Sequence, residues 1–226
     1  MSESVILTAE DGHRLGAYLA APVGTARSGL VVLQEFYGLN AHIREVCDRF
    51  AAEGYTVISP TLYHRIDDTQ PHGPTIPYGD DSVPLGRELR ARVGWENSVV
   101  DVRAAAMALS DYPNVGVVGY CWGGTLAWLA SARVAIRCAV GYYGGQIDQF
   151  LDEAPGCPLM LQFGAADKYI TQDRVDRIQA AVPNVPIHRY EDAGHGFNCD
   201  HSDEYRPAAA RLAQARTLEF LAQHLD

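Results

Sequence analysis

Gly119-Tyr120-Cys121-Trp122-Gly123 is the stretch of this chain whose residue types and spacing most directly suggest chemistry. It reads G-x-C-x-G, the pattern of a nucleophile carried on a sharp strand-to-helix turn, here with a thiol in place of a hydroxyl. Small residues two before and two after the nucleophile let strand and helix approach without collision. The flanks agree, because the β-branched run VGVV precedes the motif and TLAWLA follows it. A thiol at a helix start feels the positive end of the helix dipole, which favours the charged form, and the backbone N–H of Trp122 would face the oxygen of an attacked carbonyl. Most free cysteines are nonetheless inert small hydrophobes, so Cys121 needs partners before it counts as a nucleophile.

A nucleophile requires a base, and the base an orienting acid. In YEDAGHGF, His195 lies between two glycines just after the last expected strand, and in LQFGAADKYIT, Asp167 lies just after the strand before it. The chain order nucleophile, acid, histidine is that of the α/β-hydrolases. Asp167 also suits helix capping or a solvated turn, and Glu191 and Asp192 are rival acids that lie too near His195 in sequence for the usual layout. A further strand ends in LQEFYGLN, which puts Glu35 beside the turn of Cys121 or, equally, in solvent, and puts the N–H of Phe36 where this fold draws its second oxyanion donor. The other histidines are scattered, with no pair at metal-ligand spacing, so neither a metal nor a cofactor is expected.

These residues must be held by the elements between them. SVILT (4–8) and RLGAYLA (14–20) flank the turn signal EDGH and predict an antiparallel hairpin. SGLVVLQ is a continuous apolar run, as for a strand covered on both faces, and it precedes a helix with Ile43, Val46, Cys47 and Phe50 on one side, Asn40 as cap and Gly54 as stop. The alternation repeats through YTVISP, a helical region near 86–110, NVGVVGY, a helix from about 123, RCAVGYY, CPLMLQFG, a helix at about 171–182, PIHRY and the terminal PAAARLAQARTLEFLAQHL. The fold class is α/β: about eight strands in a mostly parallel sheet, helices on both faces, one antiparallel hairpin at an edge, all in a single domain spanning 1–226. Residues 64–84, rich in Pro, Gly and Asp, read as a long loop, functional or mobile, overhanging the carboxyl edge of the sheet.

A net charge of −10 without a segregated basic patch disfavours nucleic acid, and RELRAR (87–92) reads as a solvated helix face. The N-terminal residues lack a charged flank followed by an apolar run, no stretch reaches membrane-span length, and five cysteines make an odd set without a C-x-x-C pair. The expectation is a cytoplasmic protein with reduced thiols, no membrane partner, and a monomeric or small homo-oligomeric state.

In order along nearly the whole chain, QEFYGLN, SPTLYHR, VGYCWGG, AVGYYG, FGAADKYIT and EDAGHGF resemble the dienelactone hydrolase family of α/β-hydrolases. The resemblance implies a Cys121–His195–Asp167 triad, a resting thiol hydrogen-bonded to Glu35 until substrate displaces the carboxylate, and a small-molecule ester or lactone as substrate. Two departures stand out. Thr61 occupies a position where family members commonly carry Asp, and Cys199 occupies that of an arginine that binds the substrate carboxylate; a second family arginine falls among Arg87, Arg90 and Arg92. Tyr37, Trp122, Phe197 and Tyr63 are candidates to line the pocket with Cys199, whereas core packing is preferred for Tyr143. The leading reading is hydrolysis of an ester or lactone through a thioester. The alternatives are a promiscuous esterase or phosphotriesterase acting on neutral substrates, and a non-catalytic thiol redox or ligand-binding protein.

Overall fold

A computed structural model of the chain describes residues 2–226. Strands β1 (Ser2–Thr8) and β2 (Arg14–Ala20) pair antiparallel around the turn at Gly12, where φ of +84° suits glycine. Strand β3 (Gly29–Leu33) leads through helix α1 (Ala41–Ala52) to β4 (Thr56–Pro60). Helices α2 (Val83–Val93) and α3 (Trp95–Met107) precede β5 (Val115–Tyr120), α4 (Trp122–Arg133) and β6 (Cys138–Tyr142). Strand β7 (Leu159–Gly164), helix α5 (Gln172–Ala181), strand β8 (Ile187–Tyr190) and helix α6 (Pro207–Leu225) complete the chain.

The strands form one eight-stranded sheet in the order β1-β2-β4-β3-β5-β6-β7-β8, antiparallel only where β1 meets β2 and β2 meets β4. Every residue of β3, β4, β6 and β7 is buried, the signature of strands covered on both faces. Side-chain parity shows what covers them. The adjacent residues Gly141 and Tyr142 point to opposite faces, the first against Gly124 of α4 and the second, through its hydroxyl, 2.6 Å from Thr217 of α6. Helices α4 and α6 therefore sandwich the sheet centre.

From β3 the chain steps to β4 on one side, whereas β5 lies on the other, so the order reverses between β3 and β5. Open α/β sheets bind ligands at the carboxyl ends of strands at such a switch point. Glu35 and Cys121 leave β3 and β5 there.

Two boundaries differ from the sequence reading. The helical region near 86–110 is two helices, because Gly94 adopts φ +76°, ψ 164° and turns the chain between α2 and α3. The long loop ends in two helical pieces, Asp80–Ser82 and the start of α2, the latter with a proline in its first turn. The loop is also held down. The N–H of Ile76 donates to the Tyr37 carbonyl at 2.9 Å, and the Nε2 of His64 lies 2.7 Å from the Gln70 carbonyl while its Nδ1 accepts from the Gly16 N–H at 2.8 Å.

Candidate active site

Cys121 sits between β5 and α4 with φ +53° and ψ −110°, a strained conformation for a residue with a Cβ. The surroundings enforce it. The Cys121 N–H donates to the Tyr142 carbonyl and the Gly123 N–H to the Gln34 carbonyl, each at 3.0 Å. A Cβ on Gly119 would lie 1.9 Å from the Gly123 oxygen, and one on Gly123 would lie 2.4 Å from the Leu33 oxygen. Both glycines of the motif are thus places where backbone meets backbone.

His195 follows β8, and its Nε2 lies 3.2 Å from the Cys121 Sγ while its Nδ1 lies 2.8 Å from the Asp167 Oδ2. Asp167 follows β7 with its side chain fully buried. Its Oδ1 accepts from the N–H groups of Tyr169 at 2.7 Å and Ile170 at 3.0 Å. The turn-capping and histidine-orienting readings of Asp167 are therefore compatible: one oxygen does each. Glu191 and Asp192 are exposed. Burial opposes charge on His195, but the Cys121 thiolate and the hydrogen bond and charge of Asp167 outweigh it and hold the imidazole well above its usual pKa. That favours the protonated, imidazolium form of His195.

Glu35 is 2% exposed, which removes the solvated-loop alternative. It does not hold the thiol, contrary to what the resemblance implies. Its Oε2 accepts from the Tyr78 hydroxyl at 3.1 Å and its Oε1 from the Tyr143 hydroxyl at 3.4 Å, while the thiol faces His195. Tyr143 is core, as preferred, yet its hydroxyl reaches the site, with burial and then Glu35 raising its pKa. The N–H groups of Phe36 and Trp122 have no acceptor among the described residues. Trp122 is the first residue of α4, where the helix itself supplies none.

A cavity of about 650 Å³ opens over these groups. Tyr37 and Cys199 line it, together with Trp122. Tyr63 and Phe197 do not, and both are fully buried. The Tyr63 hydroxyl donates to the Phe36 carbonyl at 2.6 Å and its ring stacks on Trp122 at 5.5 Å, so it lies beneath the oxyanion loop; Phe197 packs among Tyr142, Tyr143 and Tyr190. Of the three candidate arginines, Arg87 and Arg90 reach the wall and Arg92 does not, so RELRAR is not merely a solvated face. Arg90 is half-buried over Trp95 at 5.5 Å, and neither Arg87 nor Arg90 has a carboxylate in ion-pair reach among the described residues.

Tyr78, Lys168 and His201 on the wall were missed. The length of the 64–84 segment flagged Tyr78's region but not its hydroxyl. Tertiary folding also gathers His42, Asp200 and His201, a group capable of holding a cation that sequence spacing did not disclose. Arg49 already faces Asp200 at 2.9 Å and His42 Nδ1 lies 2.7 Å from the same carboxylate, so Asp200 is engaged by groups of the chain itself.

A mostly parallel eight-stranded sheet with a strained thiol at the β5–α4 turn, and an acid and a histidine after the next strands, defines an α/β-hydrolase fold. The family model for the dienelactone hydrolase family matches residues 15–225, and the chain belongs to that family. It is similar to carboxymethylenebutenolidase from Pseudomonas sp. (strain P51), at 34% identity over 98% of this chain and 95% of that protein. The same name describes a Pseudomonas putida relative at 32% identity, with 98% and 97% covered. Among solved structures, a Klebsiella pneumoniae protein superposes with a TM-score of 0.82 at 26% identity, over 99% of this chain and 100% of that one. A dienelactone hydrolase-like promiscuous phosphotriesterase from metagenomic libraries shares the fold, with a TM-score of 0.73 at 18% identity over 100% and 99%. The chain is thus a carboxylic ester hydrolase resembling carboxymethylenebutenolidase.

Proposed function

We propose that this protein cleaves a carboxylic ester or lactone through a thioester on Cys121. The observation that carries the reading is the line from Sγ to Nε2 to Nδ1 to Oδ2, at 3.2 and 2.8 Å, on a cavity wall with two unengaged N–H groups. The sulfur attacks the carbonyl carbon with its proton on His195, and the developing oxyanion is received by the N–H groups of Phe36 and Trp122. Collapse of the tetrahedral adduct breaks the C–O bond, and His195 returns its proton to the departing alkoxide, which in a lactone stays attached to the acyl chain. Water then attacks the thioester, giving its proton to His195, and the second collapse releases the acid and restores the thiol. Asp167 fixes the ring so that Nε2 faces sulfur and stabilises its cationic form.

Arg87 and Arg90, unpaired on the wall, favour a substrate that also carries a carboxylate. The neutral-ester reading is favoured instead by Cys199, which offers no charge where an arginine was expected. Incubation with an aryl ester and a lactone, acid quench and peptide mass mapping test the proposal. An acyl group on Cys121, absent together with turnover in folded Cys121→Ala, is expected. Undiminished turnover in that variant overturns it, and no turnover of any ester by the wild type supports the non-catalytic thiol reading.

A further inference from the structure

Glu35 is a carboxylate buried next to the reactive thiol with no lysine or arginine in ion-pair reach among the described residues. In the β3–β5 register Leu33 faces Gly119, so Glu35 and Cys121, two residues on, leave neighbouring strands at the same level, and both line the cavity. A carboxylate so placed is a ready acceptor of a hydrogen bond from S–H, and that bond, with the negative charge it brings beside the sulfur, would keep the proton on sulfur and the thiol unreactive.

We propose that Tyr78 is a positioning residue that holds Glu35 away from Cys121, so that the thiolate–imidazolium pair with His195 exists before any substrate binds. The inference rests on the reading of Cys121 as the nucleophile. A chain of hydrogen bonds with defined direction supports it. Asn40 caps α1 through its Oδ1, which accepts from the Ile43 N–H at 3.1 Å, and this fixes which end of its amide is the donor. Its Nδ2 then donates to the Tyr78 oxygen at 2.9 Å, leaving the Tyr78 proton to point at the Glu35 Oε2, 3.1 Å away. The Tyr78 ring packs on Tyr37 at 4.4 Å, and the loop before it is tied to the Tyr37 carbonyl. Burial and the Glu35 charge raise the hydroxyl pKa of Tyr78, so it remains a donor. Tyr143, at 3.4 Å, is the longer and weaker contact on the other oxygen. Cys199 supplies no competing cation: burial, then Glu35, push its thiol up to about 12, so it is neutral.

The test is the second-order rate at which iodoacetamide alkylates Cys121, the thiolate displacing iodide, with the label located by peptide mass and folding checked by thermal melting. Tyr78→Phe is expected to slow alkylation about tenfold, the size of one lost charge-assisted hydrogen bond. Adding Glu35→Gln to that variant is expected to restore the wild-type rate, because the negative charge that holds the proton on sulfur is gone. Glu35→Gln alone is expected to leave the rate unchanged, because the carboxylate is already held off the sulfur, and this arm decides the matter should Tyr78→Phe not fold. An unchanged rate in Tyr78→Phe, a double variant as slow as the single, or a rise or fall in Glu35→Gln overturns the role of Tyr78 while leaving the nucleophile intact. A wild-type Cys121 no more reactive than an ordinary exposed thiol overturns the nucleophile reading and this inference with it.

Discussion

Replacing Tyr63 by Phe separates a pocket wall from a support. Tyr63 is fully buried, and its hydroxyl makes a 2.6 Å hydrogen bond to the Phe36 carbonyl, one peptide beyond the N–H proposed to receive the oxyanion. Burial raises the pKa of this hydroxyl, so it donates throughout the working range. The substitution keeps the ring that stacks on Trp122 and removes only the donor. A buried carbonyl left without its partner costs about 1–2 kcal/mol. For a domain of this size that lowers Tm by about 2–8 °C. Loss of a whole oxyanion donor typically costs about 10²–10³ in kcat, and loosening its neighbour should cost less, about tenfold. Steady-state kinetics on an aryl ester should therefore show kcat falling about tenfold with KM nearly unchanged. A raised KM at constant kcat would refute the reasoning and return Tyr63 to the pocket wall, and a lowered Tm with both constants intact would make the hydroxyl purely structural.

Arg90→Gln should raise KM for an anionic lactone about 10–100-fold, the range of a hydrogen bond between charged groups, with a much smaller effect on a neutral aryl ester; equal effects on both substrates would show that Arg90 only packs on Trp95. Iodoacetamide at pH 8 should label Cys121 and spare Cys199, because burial pushes the latter up to about 12, leaving a thiolate fraction of about 10⁻⁴. The sign for stability follows: the folded state keeps the Cys199 proton to about 12 while an unfolded thiol releases it near 9.0, so stability falls as pH rises between those values. Labelling of Cys199 at pH 8 at the rate of Cys121 would contradict its burial.

The strands were legible because continuous apolar runs bounded by Gly and Pro have few alternatives in a chain of this length, and β3 to β7 lie within two residues of those runs. The break at Gly94 was not, since apolar periodicity continues across it and only the positive φ reveals the turn. Cys121, Asp167 and His195 could be singled out because each lies just after an expected strand and within three residues of a glycine, a local signal. Tyr63 and Phe197 were misplaced because adjacency to a motif says nothing about the direction of a side chain. Tyr78 and Tyr143 act through hydroxyls brought to Glu35 from 43 and 108 residues away. No local pattern encodes such a meeting; it is a consequence of packing.

Cys199 and Tyr78 belong to one electrostatic arrangement. An arginine at position 199 would neutralise Glu35 and add a further cation to the cavity; a neutral thiol there leaves a buried carboxylate stabilised, among the described residues, by hydroxyls, which is tolerable because both hydroxyls stay protonated. Among the described residues, the cavity-wall cations without a carboxylate partner are Arg87 and Arg90 of α2, and Glu35 lines the same cavity. Under the proposed function, an anionic group of a bound ester would be drawn towards Arg87 and Arg90 and repelled by Glu35. Selectivity in such a cavity depends on where the charge lies relative to the scissile carbonyl, and not simply on whether the substrate is charged.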